Sequence, residues 1–209
     1  MANQLAATLE SLAQNDDLSA VVLRAEGSIF CAGWDLDEIN GVETHEQGSA
    51  LIASGRRCLT AMDRMPQVIV SAVEGSTLGF GVALVAHCDV NLVAESARIL
   101  LPELRHGIVP ASVLGDLVVK VGRAKALRWC VMGEVPINEA LSSGLVSELI
   151  EKERFESVVS ERLESICRQA PAAIRATKQL SATLRGDQSD VFAKGDSFAS
   201  SMIASRLAP

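Results

Sequence analysis

An α/β fold with parallel strands and helical crossovers is the architecture this sequence predicts, and three observations predict it. Short, continuous apolar runs recur at 20–23, 68–73 and 90–94, each suited to a strand buried on both faces. The stretches between them are apolar and helix-compatible, so a right-handed strand–helix–strand connection is the economical link. From Pro110 onward the apolar spacing is helical almost throughout.

Taken in order, Leu5, Leu9 and Leu12 recur at three to four residues and stop at Asn15-Asp16-Asp17, an amphipathic helix followed by a turn. The strand at 20–24 follows, then those at 68–73 and 90–94. Segments 113–121, 123–132 and 136–142 read as helices punctuated by Gly122, Gly133 and Gly144. A last strand is expected within 145–150. Long helix patterns at 151–169 and 172–185 are separated by Pro171, and a third at 188–206 carries Val191, Phe192, Phe198, Met202 and Ile203. The division expected is a core over 1–150 and a helical region over 151–209 that packs on partner subunits, because its apolar content exceeds what a short tail buries alone.

Composition narrows the classes of function. At 209 residues and 48% apolar content the chain makes one ordinary core, without internal repeats. Its net charge is −7, and the first 64 residues hold 10 acidic against 4 basic groups, so a nucleic-acid footprint is not expected. No apolar run approaches the ~20 residues of a membrane span, and Met1-Ala2-Asn3-Gln4 lacks the basic flank of an export signal, so the expectation is a cytoplasmic protein with no membrane partner. Cys31, Cys58, Cys88, Cys130 and Cys167 are odd in number and lack close pairing, which fits reduced thiols packed as small apolar groups. His45, His87 and His106 are far apart and support no zinc site.

Three segments carry the chemistry: Phe30-Cys31-Ala32-Gly33-Trp34-Asp35-Leu36 after the first strand, Glu74 to Ala83 with its Gly75, Gly79 and Gly81 after the second, and Leu100 to Pro110 after the third. Ligands of α/β proteins gather at such strand ends, and the glycines permit close approach of backbone amides. Singly, each has an ordinary explanation. Glycines after strands make turns, a lone Glu103 is a surface or helix-start carboxylate, His106 is a hydrogen-bonded structural residue, and Trp34 and Trp129 are core residues. No GxGxxG or GxxxxGK[ST] phosphate cradle is present.

In combination and in order, FCAGWDL (30–36), VEGSTLGFGVAL (73–84) running into Cys88-Asp89, and LPELRHGIVP (101–110) closely resemble the crotonase superfamily, the enoyl-CoA hydratases and isomerases. Gly122-Arg123-Ala124 and the Glu139 to Val146 turn agree. The resemblance implies a spiral of βαβ units forming two roughly perpendicular sheets, with a helical C-terminal region that builds homotrimers or hexamers. It implies a coenzyme A thioester as substrate and no separate cofactor. The shared chemistry is stabilisation of a thioester enolate by two backbone amides, an oxyanion hole worth ~3–4 kcal/mol per donor. By the same resemblance those amides belong to Trp34 and Phe80, and Ala32, Gly33, Gly79 and Pro102 belong to the substrate and coenzyme A site.

The family's hydratases use two glutamates. Glu103 matches the second, while Ala83 stands at the first and carries no proton. One carboxylate suggests isomerase-like shuttling of a proton from C2 to C4. Alternatives are a hydratase, dehydratase or decarboxylase with a substitute acid, His106 being the first to test, or a catalytically silent paralogue. By the same comparison the chain starts inside the helix that follows the family's first strands and basic turn, and stops at Ser205-Arg206-Leu207-Ala208-Pro209 before its usual closing helix. A weakened hold on coenzyme A phosphates is the corresponding expectation.

Overall fold

The computed structural model describes residues 1–185 and 189–205. The chain runs α1 (Ala2–Leu12), β1 (Ala20–Arg24), β2 (Ile29–Cys31), α2 (Leu36–Asn40), α3 (His45–Arg64), β3 (Val68–Val73), β4 (Ser76–Leu78), α4 (Phe80–His87), β5 (Val90–Ala94) and β6 (Ile99–Leu100). A 3-10 turn (Pro102–His106) follows, then α5 (Ala111–Val121), α6 (Arg123–Met132), β7 (Glu134–Val135), α7 (Ile137–Ser142) and β8 (Glu148–Ile150). A second 3-10 turn (Lys152–Arg154), α8 (Phe155–Cys167), α9 (Pro171–Arg185) and α10 (Ser189–Ser205) complete it.

The three apolar runs become β1, β3 and β5, which pair in parallel and take β8 as a fourth strand, in the order β1-β3-β5-β8. Helices fill the intervals, as the parallel arrangement demands. A second sheet, ordered β2-β4-β6-β7, has only short strands, parallel except for the last pair. These two- and three-residue strands are too short to show any period in sequence. The Glu103 segment therefore follows β6 directly rather than β5, and the glycine-rich segment is β4 plus the first turn of α4. The pattern at 151–169 starts with a 3-10 turn before α8, and the strand expected within 145–150 occupies its last three residues. Residues 188 and 206–209 and the side chains of Met202 and Ile203 lie outside the described residues.

The two central strands of the first sheet, β3 and β5, are apolar except for Ser71 and Asn91, which are buried together. The Ser71 hydroxyl donates to the Asn91 side-chain oxygen at 2.6 Å, and the Asn91 amide donates to the carbonyls of Val85 and Leu145. All polar atoms of that side chain are thereby paired, which a buried amide requires. Cys31, Cys58, Cys88 and Cys130 are buried and Cys167 is exposed. Among the described residues, no helix is long and apolar enough to cross a membrane. Leu180 and Leu184 on α9 and Phe198 on α10 are exposed.

An ionic cluster joins four helices. Arg56 on α3 donates to both carboxylate oxygens of Asp196 on α10, at 2.7 and 3.1 Å, and to Asp116 on α5 at 3.1 Å. His87, at the end of α4, lies between Asp63 (2.8 Å) and Asp116 (3.3 Å). Ser112 donates to Asp196, and the Phe192 ring covers both the Arg56 guanidinium and His87. Burial by itself lowers the His87 pKa, but the hydrogen bonds and charges of Asp116 and Asp63 outweigh it and raise it to about 9. Folding thus favours the imidazolium, so its contribution is fully present below the unfolded value of about 6.5 and is lost as pH rises through about 9. The thermal midpoint should fall over that interval, and His87→Gln should flatten the slope. An unchanged slope in the variant would show that His87 is neutral in the folded chain.

Candidate active site

The tips of three segments converge. Gly33 has φ +87°, a conformation that favours glycine, and a β-carbon there would lie 3.0 Å from the Leu78 carbonyl and 3.4 Å from the Phe80 nitrogen. The turn after β2 is therefore pressed against the turn after β4. Gly79, with φ +52°, is squeezed from the other side: a β-carbon on it would stand 2.9 Å from Oε1 of Glu103. Both glycines are where the backbone has room for nothing else.

Trp34 and Phe80 follow these two glycines, and their rings meet with centroids 4.9 Å apart and planes tilted by 39°. Among the described residues neither backbone N–H donates a hydrogen bond within the chain. Phe80 opens α4, so its amide is one of the unpaired donors at a helix start. Asp35 holds the other turn, accepting from the amides of Asp37 and Glu38 to cap α2.

Glu103 is the second residue of the 3-10 turn, entered through Pro102. Its Oε2 is buried and has no hydrogen-bond partner among the described residues. Burial pushes the carboxyl above the usual carboxylate range, and a backbone hydrogen bond at Glu103 opposes this only in part. The nearby Cys130 thiol is raised to about 12, by its burial and by the Glu103 charge, and so stays protonated.

Trp34, Phe80, Ala83 and Glu103 all line one cavity of about 80 Å³. The rest of its wall is mainly aliphatic: Ile39 from α2, Leu51 and Ile52 from α3, Val109 before α5, Val113 within it and Ala199 from α10. Glu103 is the only titratable side chain on the wall among the described residues, and the one hydroxyl, Ser112, is engaged by Asp196. Behind the wall stands the ionic cluster. Ile52 and Arg56, Ala83 and His87, Ser112 and Asp116, and Asp196 and Ala199 are each three or four residues apart on one helix. One turn faces the cavity and the next is tied to the other helices.

Of the remaining candidates, Gly33 and Gly79 shape the turns without lining the cavity, Pro102 is half-buried and Ala32 is exposed. His106 is exposed and off the cavity wall, so it is poorly placed to substitute for an acid at Ala83. Sequence reasoning did not find Ile39, Leu51, Ile52 or Ala199. In sequence they look like any apolar helix residues, and only their convergence marks them.

Comparison with known proteins bears on the family and the fold. The family model for enoyl-CoA hydratase/isomerase matches residues 1–205. A probable enoyl-CoA hydratase of Bacillus subtilis is 33% identical over 71% of the chain, and the peroxisomal Delta(3,5)-Delta(2,4)-dienoyl-CoA isomerase of Arabidopsis thaliana is 29% identical over 81%. The chain spans 61% and 66% of those two proteins' lengths. The crystal structure of an enoyl-CoA hydratase from Mycobacterium smegmatis superposes with a TM-score of 0.85 at 26% identity, covering all of this chain and 81% of that one. A family match along nearly the whole length, together with the superposition of the whole chain on a solved enoyl-CoA hydratase, places this chain in the enoyl-CoA hydratase/isomerase family.

Proposed function

We propose that the chain processes acyl-CoA thioesters, with the Trp34 and Phe80 amides holding the enolate oxygen and Glu103 moving the proton. The observation that carries this reading is the Glu103 carboxyl itself, half-buried on the wall of an apolar cavity with its buried Oε2 unpartnered. A buried carboxylate oxygen without a partner costs stability, and a group kept at that cost beside two free amides suits a general base better than a structural role. A silent family member has no reason to keep it.

The reaction favoured is movement of a double bond from C3 to C2. Glu103 takes a proton from C2, negative charge develops on the thioester oxygen under the two amides, and the protonated Glu103 delivers the proton to C4. Its raised pKa suits both halves of that exchange. Addition of water needs a second group to manage the water's protons, and at the matching place on the cavity wall stands Ala83. Isomerisation of 3-hexenoyl-CoA is therefore expected to exceed hydration of crotonyl-CoA, and Ala83→Glu is expected to raise hydration. Hydration of crotonyl-CoA that outpaces the isomerisation would overturn this assignment.

A further inference from the structure

We infer that Gly55 is a positioning residue for this site, that the notch it leaves in α3 seats the Trp34 indole against Phe80, and that this ring pair makes the site select acyl chains unbranched at C2. The inference rests on the reading of the cavity as an acyl-thioester site.

Gly55 is buried in the middle of α3, one turn beyond the wall residues Leu51 and Ile52. A β-carbon there would lie 2.5 Å from Cζ2 and 2.9 Å from Cη2 of Trp34, and 3.1 Å from Cε2 of Phe80. The indole edge occupies the space that any other residue at 55 would fill. Ordinary contact needs roughly 3.5 Å, so an alanine at 55 would displace the indole by about 1 Å. Trp34 has little freedom to absorb that shift. Its turn is fixed between Gly33, packed on the Leu78 carbonyl, and Asp35, the cap of α2. The amide that would hold the enolate oxygen belongs to the same residue, so ring and donor are positioned together.

The selectivity follows from where the carbons of a bound thioester must lie. If its oxygen sits about 2.9 Å from the two amides, the carbonyl carbon and C2 pass directly along the residues that carry them. Both those residues line the cavity with aromatic rings packed 4.9 Å apart. A planar enoyl or enolate segment is thin enough to slide past rings, whereas a methyl on C2 competes for their volume. Beyond this point the wall is aliphatic, with Ile52, Val113 and Ala199, and makes no comparable demand.

The test combines Gly55→Ala, Trp34→Ala and the double variant, with binding of the unreactive butyryl-CoA and 2-methylbutyryl-CoA measured by calorimetry alongside 3-hexenoyl-CoA turnover. Wild type is expected to bind the unbranched thioester at least about tenfold more tightly than the branched one. Trp34→Ala should lose most of that preference. Gly55→Ala should lower turnover at least about tenfold, in line with the cost of an ångström-scale misplacement, and should lower the thermal midpoint, although alanine is otherwise favoured over glycine inside a helix. In the Trp34→Ala background the same change should be nearly silent in turnover and neutral or favourable in stability. Equal binding of the two thioesters by wild type, or an equal cost of Gly55→Ala with and without Trp34, overturns the inference while leaving the function intact. Failure of wild type to bind either thioester or turn over 3-hexenoyl-CoA overturns both.

Discussion

Glu103→Gln is expected to lower turnover of a 3-enoyl thioester by at least about 10²-fold, the lower range for a positioned general acid or base. Glutamine keeps the size and the hydrogen-bonding capacity of the side chain but does not exchange a proton. Because burial raises the Glu103 pKa, the folded state is less stable with the carboxylate ionised than with it neutral. The thermal midpoint of the variant at neutral pH should therefore be unchanged or higher. Loss of activity with retained stability separates a chemical role from a structural one, and a fully active variant would move the base elsewhere.

Arg56→Ala is expected to cost about 3–5 kcal/mol of stability, the scale for removing one partner of a buried ion pair. Among the described residues the arginine is the one cation on Asp196, and without it Asp116, whose side chain is fully buried with Oδ2 already lacking a partner, keeps only the His87 imidazolium. For a chain of this size that corresponds to a fall of roughly 10 °C in the thermal midpoint. The contrast is Arg24→Ala. Arg24 pairs with Glu74 and Glu156 at the surface, where such pairs contribute little, and its loss should barely register. A stable Arg56→Ala variant would show that the cluster is solvated or that the His87 imidazolium by itself holds Asp116.

The strands of the first sheet were legible because each is a continuous apolar run with a turn beyond it. β3 and β5 fall on the expected residues, and β1 on the expected run. α3 was less legible. It contains Gly48, Gly55 and several charged residues, although Thr44 and Gln47 form a capping box that marks its start. The helices after Pro110 were readable from spacing and glycine stops, to within a few residues. The second sheet was not readable from the residues, since a strand of two or three residues has no period; only the likeness to a known family implied it.

At the site, local sequence determined what the chain brings: glycines at 33 and 79, a single carboxylate at 103, an alanine at 83 and two aromatic residues next to the glycines. Those features act within a few residues of chain, through φ angles, turn formation and the presence or absence of a titratable group. Only the tertiary structure decided what they face. Gly55 is 21 residues from Trp34 and Ala199 is 96 from Glu103, and no local pattern states that the first vacates room for an indole or that the second closes the cavity. Contacts between distant elements depend on how whole helices pack, and packing leaves in the sequence only an apolar residue or a glycine that looks like many others.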